Sequence, residues 1–119
     1  MTESCDPGCL PFVGMDRIAR YGKSVARPGK GGELAQLLLT AADAMRDDLG
    51  CELYLISRQA DDEDVIWVTE LWRSQADLDA SLERIRGSGD VAAAMALVED
   101  WQMIELDLLG GKGPEATPA

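Results

Sequence analysis

A carboxylate and an indole two residues apart, Glu70 and Trp72, are the pair in this sequence best suited to chemistry on an organic substrate. They lie near the end of the run Val65–Arg73, VIWVTELWR, which is rich in β-branched and aromatic residues and reads as a strand. Alternate residues of a strand share one side of it, so the two side chains face the same way. Tryptophan offers a wide flat surface with a single N–H donor, and a glutamate beside it can accept a proton. Trp72 and Glu70 are therefore the candidate catalytic pair, and in that role they face a cavity between sheet and helices. The same residues also suit a structural role, with Trp72 packing the second helix and Glu70 held in a hydrogen bond or salt bridge. The residues alone leave both roles open.

Much other chemistry is excluded by composition. The chain contains no histidine, which removes Ser-His-Asp and Cys-His catalysis within it and makes the usual zinc and iron sites unsupported. No Walker motif and no GxGxxG is present. Gly29, Gly31 and Gly32 form a glycine-rich break before a helix, but Glu33 in its first turn opposes a phosphate there. The expectation is a protein without flavin, haem or metal. Cys5 and Cys9 form a C-x3-C pair with no second pair to complete a zinc site, and Cys51 reads as a small core residue. The acidic run Asp61-Asp62-Glu63-Asp64 lacks the alternation, central glycine and distal glutamate of a calcium loop and reads as a solvated hairpin turn.

A formal charge of −11, from 11 basic and 22 acidic residues, opposes nucleic-acid and anionic-membrane partners. The sequence has no apolar run long enough to span a bilayer and no secretory pattern at its start, so a cytoplasmic location is expected. Residues 1–14, with Pro7, Gly8, Pro11 and Gly14, read as a flexible arm, and Met15 is a possible alternative start. Residues 110–119 read as a flexible tail. Between them lies one domain, 15–109, of a size that folds alone but gains from an oligomer interface.

Within that domain, 17–27 reads as a strand weakened by Gly22. Leu34, Leu37, Leu38, Ala41, Ala42, Met45 and Leu49 follow helical spacing over 33–49, with Gly50 at the place of a left-handed C-cap. Strands are expected at 51–59 and 65–73. A helix opens on Ser74, with Asp77 three residues on as in a capping box. Its apolar stripe is Leu78, Leu82 and Ile85. A short helix at 91–98, apolar all round, is expected to be buried, and a last strand covers 101–109. The fold class is therefore α+β, a ferredoxin-like βαββαβ arrangement with a four-stranded antiparallel sheet. Ile66, Val68 and Trp72 line one side of the third strand, and Val65, Trp67 and Leu71 the other, so both sides are apolar. Helices cover only one face of such a sheet. A second copy of the same sheet is the economical cover for the other, which predicts a homodimer.

The strand–acidic turn–strand–helix unit of 49–82, with its Glu70-x-Trp72 ending, resembles the antibiotic-biosynthesis monooxygenase (ABM) superfamily, small dimeric α+β barrels. The resemblance implies a cofactor-independent monooxygenase acting on an electron-rich aromatic or quinol of polyketide type, with dioxygen as co-substrate and a small planar aromatic as ligand. Members that oxidise polycyclic phenols carry Trp, Asn, Tyr, Arg and His in the pocket. Transferred to this chain, the Trp falls on Trp72, the Asn position near Val68, the Tyr near Leu78 and the His near Ser57. Ile66 lies on the Trp72 side, and Arg84 or Arg86 on the second helix could supply the cation. The substrate-binding set is thus Ile66, Val68, Ser57, Leu78 and Arg86. Haem-degrading relatives use a histidine where this chain has Ala94 to Ala96, so haem oxygenase activity of that type is not expected. Two alternatives stand beside the oxygenase: a non-redox polyketide cyclase or isomerase using the same cavity, and a non-catalytic small-molecule binding module.

Overall fold

The structure is a computed structural model and describes residues 16–112 of the 119. The arm at 1–14, Met15 and residues 113–119 of the tail lie outside the described residues. The elements run β1 Ile18–Ala26, α1 Gly31–Ala44, a single 3₁₀ turn Met45–Asp47, β2 Cys51–Gln59, β3 Asp62–Trp72, α2 Gln75–Ile85, α3 Gly89–Ala96 and β4 Val98–Asp107. The four strands form one antiparallel sheet in the order β2-β3-β1-β4, the βαββαβ arrangement expected from the sequence.

Strand pairing settles which side chains share a face. Arg20 of β1 stands opposite Glu70 of β3 and Glu105 of β4, and Glu70 stands opposite Tyr54 of β2. The face carrying Ile66, Val68, Glu70 and Trp72 is the one the helices cover. Its core is Ala26, Leu34, Ile66 and Val98, with Ala35, Leu38, Ile56, Ala94 and Leu97 packed around it. Helix α1 lies over β3 and β2 and touches α3, while α2 packs on β3 through the buried Leu78 and Ser81. The opposite face carries Tyr21, Trp67, Leu55, Ile104 and Leu106, all substantially exposed.

Several local expectations are corrected. The hairpin is tighter than the acidic run suggests: β3 begins at Asp62, leaving Ala60 and Asp61 as its turn. The acids enter the strand because their carboxylates have backbone donors to accept from. Asp64 accepts from the N–H groups of Gly29 and Gly31 at 3.0 and 2.9 Å, and Asp62 accepts from the N–H of Asp64. Asp64 thus fills the start of α1. A Cβ on Gly31 would lie 2.1 Å from the Glu63 carbonyl oxygen, so glycine there permits the close crossing of the two backbones.

Gly50 is not a left-handed cap, since helix α1 gives way to its 3₁₀ turn at Met45 and Gly50 is not among the residues with positive φ. Its small size serves another end: a Cβ would meet the Asp77 side chain at 2.5 Å, so Gly50 lets the start of α2 approach β2. Ser74 does cap α2, accepting from the Asp77 N–H at 3.1 Å, and its hydroxyl donates to the Asp77 carboxylate. Helix α3 begins at Gly89 and buries none of its residues fully, with Val91 and Met95 exposed. Its apolar composition reveals an affinity for cover but not which element supplies it. Strand β4 starts three residues earlier than expected, at Val98.

Candidate active site

One transverse row of polar side chains crosses all four strands on the helix-covered face: Tyr54, Glu70, Arg20 and Glu105. Each belongs to a different strand, and each is set opposite its neighbour by the pairing register. Apart from Ser24 and Ser81, Arg20 and Glu70 are the polar residues buried among the described ones, Arg20 at 9% exposure. Trp72, 1% exposed, closes one side and donates its indole N–H to Glu70 Oε1 at 2.8 Å. The Arg20 guanidinium is near that carboxylate but not bonded to it, with Nη1 3.7 Å from Glu70 Oε1. On the other flank Arg20 Nε is 4.0 Å from Glu105 Oε2. Both separations exceed hydrogen-bond length, and Arg20 Nε is buried without a hydrogen-bond partner.

The electrostatics follow from this setting. Burial pushes the Glu70 carboxyl above its ordinary value, against the indole hydrogen bond and the nearby Arg20, which favour the charged form; Glu105 adds to the upward push. Burial likewise raises the Tyr54 phenol to about 12, helped by the charge of Glu70, so Tyr54 is neutral at ordinary pH. Cys51, the first residue of β2, has its thiol raised to about 11 by burial and by Asp48 and Glu70, which makes it a poor nucleophile. A proton acceptor of raised affinity, a flat indole and a buried guanidinium together can receive a weakly acidic hydroxyl and hold its oxyanion.

Of the residues singled out from sequence, Ile66, Val68, Glu70, Trp72 and Leu78 are all buried beneath the helices. Ser57 is not with them. It pairs opposite Trp67 and so belongs to the uncovered face, because its odd position in β2 gives it the opposite parity to Tyr54 and Ile56. Arg86 is also elsewhere, at the exposed end of α2 in an ion pair with Glu83, and Arg84 is paired with Asp48. The cation that strand register sets opposite Glu70 is Arg20, which sequence reasoning passed over together with Tyr54. The signal was present as parity: Arg20, Gly22 and Ser24 alternate along β1. Facing Glu70, however, depends on a register that no local pattern states.

Beside the row, α1 and the edge strand β2 border an open cleft of about 630 Å³, lined among others by Leu39, Met45, Cys51, Tyr54, Leu55 and Ile56. Tyr54 belongs to both cleft and row. Among the described residues no cluster of His, Cys, Asp and Glu could hold a metal ion, and no helix is long and apolar enough to cross a membrane.

The sequence model of the antibiotic biosynthesis monooxygenase family matches residues 18–96. Among solved structures, the chain is similar to a protein of Chloroflexus aurantiacus J-10-fl provisionally named an antibiotic biosynthesis monooxygenase, with 28% identity, TM-score 0.70, and 82% of this chain and 97% of that one covered. A conserved protein of Methanosarcina mazei Go1 shares the fold at 16% identity and TM-score 0.72, covering 82% and 97%. So does a variant of SnoaB, a cofactor-independent oxygenase from Streptomyces nogalater, at 12% identity and TM-score 0.68, covering 87% and 99%. Among the curated proteins none matches.

Proposed function

The chain belongs to the antibiotic biosynthesis monooxygenase family, and on that premise we propose that it is a cofactor-independent oxygenase of an electron-rich planar phenol or hydroquinone. Glu70 takes the phenolic proton, and the substrate, now an electron-rich phenolate shielded from water, passes electrons to dioxygen. One oxygen atom enters the ring as a carbonyl and the other leaves as water, with all the electrons supplied by the substrate. Trp72 is the flat wall beside Glu70, while Ile66, Val68 and Leu78 supply apolar surroundings.

The observation that carries this reading is the buried, indole-bonded carboxylate of Glu70. In a core this small an apolar side chain would stabilise at least as well, because a buried ion pair seldom repays the removal of its charges from water. A carboxylate whose proton affinity is raised by burial is suited to general base work. The likeness to SnoaB is a likeness of fold and lends the same direction to the reading.

The functional unit in this proposal is a homodimer. On the uncovered face Tyr21, Leu55, Trp67, Ile104 and Leu106 are all exposed, the kind of apolar surface that another protein covers, and a second copy matches it by symmetry. Light scattering on a size-exclusion peak is expected to give twice the chain mass.

Oxygen uptake with a panel of planar hydroquinones and phenols tests the chemistry. The proposal expects uptake above the uncatalysed rate, with a quinone as product. Product formed without oxygen uptake would make the protein a non-redox cyclase or isomerase, and ligand binding without product a binding module.

A further inference from the structure

We propose that Arg20 anchors the substrate: its Nε–H donates to the oxygen of a neutral phenol or enol whose proton passes to Glu70, so the site selects ligands that arrive with an O–H and are held as the oxyanion. This deepens the oxygenase reading and rests on it for the identity of the ligand, while the anchoring itself requires no oxidation. The O–H bond of the ligand breaks, the proton goes to the Glu70 carboxylate, and the electron pair stays on the ligand oxygen beside the guanidinium.

Two independent features lead here. The first is an unmet donor. Arg20 is nine-tenths buried and its Nε has no hydrogen-bond partner, a condition that is costly for a buried polar group and more so for a charged one. Its distances of 3.7 Å to Glu70 and 4.0 Å to Glu105 leave the guanidinium suspended between two carboxylates and bonded to neither. An oxygen acceptor entering near Nε would complete it.

The second feature is the charge of the row. Glu70 and Glu105 flank a single cation, and Tyr54, the remaining titratable member of the row, is neutral at ordinary pH. The buried residues that the helices bring to this face, Leu34, Leu78 and Ser81, carry no charge. With both glutamates ionised the row therefore has a surplus negative charge, which opposes a carboxylate or phosphate ligand. A neutral hydroxyl compound that hands its proton to Glu70 leaves the total charge unchanged and places the new anion beside Arg20. At the β4 end of the row the Glu105 side chain is 49% exposed, and Trp72 packs beside Glu70 along β3.

The test uses the full chain without oxygen, with para-nitrophenol as a chromogenic probe and its methyl ether, para-nitroanisole, as the control without a proton. Bound para-nitrophenol is expected to show phenolate absorbance at a pH where the free probe is neutral, and the ether to bind more weakly. Arg20→Gln is expected to weaken probe binding by about tenfold or more, the worth of one charge-assisted hydrogen bond, and to abolish the phenolate band. Arg20→Lys, which keeps the charge but not Nε, should restore the band only in part. Glu105→Gln, at the exposed end of the row, is the variant that decides if Arg20→Gln does not fold; removing the competing carboxylate should raise the phenolate fraction. A probe that does not bind, binds as the neutral phenol, or ionises equally in Arg20→Gln and Glu105→Gln overturns the proposal. A phenolate band that depends on Arg20 in a protein consuming no oxygen with any hydroquinone supports the anchor while ending the oxygenase reading. Oxygen uptake indifferent to Arg20→Gln does the reverse.

Discussion

Two tryptophans five residues apart in β3 live in different worlds. Trp72 is sealed beneath the helices and gives its N–H to a buried glutamate; Trp67 is 36% exposed on the other face, gives its N–H to Gln59 at 3.0 Å and lies under Lys23 Nζ at 5.7 Å. The strand is the same and the residue type is the same. Parity alone assigns one indole to a face with a covering layer and the other to a face without one. The lesson is that this sheet has two apolar sides in different settings: one encloses a charged row within the chain, and the other is the surface proposed for a second copy.

Breaking the uncovered side should have the largest visible effect. Trp67→Asp places a charge in the centre of the surface proposed to pair with its copy, and light scattering is expected to fall from the dimer mass to the monomer mass. Trp72→Asp, by contrast, is expected to yield no folded protein. A Trp67→Asp protein still dimeric by the same measurement would place the contact elsewhere.

The two faces can next be compared with one residue type. Ile66 is fully buried and Ile104 is 53% exposed. Ile66→Ala should cost about 2–5 kcal/mol in denaturant unfolding, as for other truncations in a packed core. Ile104→Ala should cost far less at low protein concentration, its loss growing only where the dimer forms. Equal costs at high dilution would dissolve the distinction between the faces.

Trp72→Phe keeps a ring in place but leaves Glu70 without its donor. A stability loss of about 1–3 kcal/mol is expected from lost packing and area. Because the indole hydrogen bond holds Glu70 down, its removal should move a Glu70-dependent rate profile to higher pH. An unmoved profile with a lower melting temperature would leave Trp72 a packing role only.

The smallest effect is a pH dependence. The folded carboxyl of Glu70 is raised, so the folded state holds its proton more tightly than the unfolded chain does. Its contribution to stability is full below the ordinary glutamate range and is lost as pH rises through the raised value. Glu70→Gln should therefore flatten the melting temperature across that window, while Glu52→Gln, an exposed carboxylate paired with Arg17, should not. A wild-type slope that Glu70→Gln leaves intact would assign it to other groups.

What could be read from the sequence was what neighbours in the chain decide. The helical spacing of Leu34 and Leu38, the Ser74–Asp77 cap and the shared side of Glu70 and Trp72 are local patterns, and all three stand in the structure. Features set by distant residues were not legible. Asp64 seemed part of a solvated run because the amides it caps, those of Gly29 and Gly31, are 35 and 33 residues away. Gly50 looked like a helix cap because its true constraint is the side chain of Asp77. The cation expected on α2, Arg84 or Arg86, is exposed there, whereas Arg20 is placed beside Glu70 by strand register. Ser57 differs: its parity against Tyr54 and Ile56 in β2, a local pattern, puts it on the uncovered face.

The most direct test of the central claim, that the covered face receives the ligand, is a fluorescence titration of Trp72→Phe and Trp67→Phe with planar phenols. Quenching by the ligand should persist in Trp67→Phe and be largely lost in Trp72→Phe, each protein being folded by circular dichroism. Quenching that survives in Trp72→Phe and disappears in Trp67→Phe would contradict the account, because it would put the ligand on the face assigned here to a second copy of the chain.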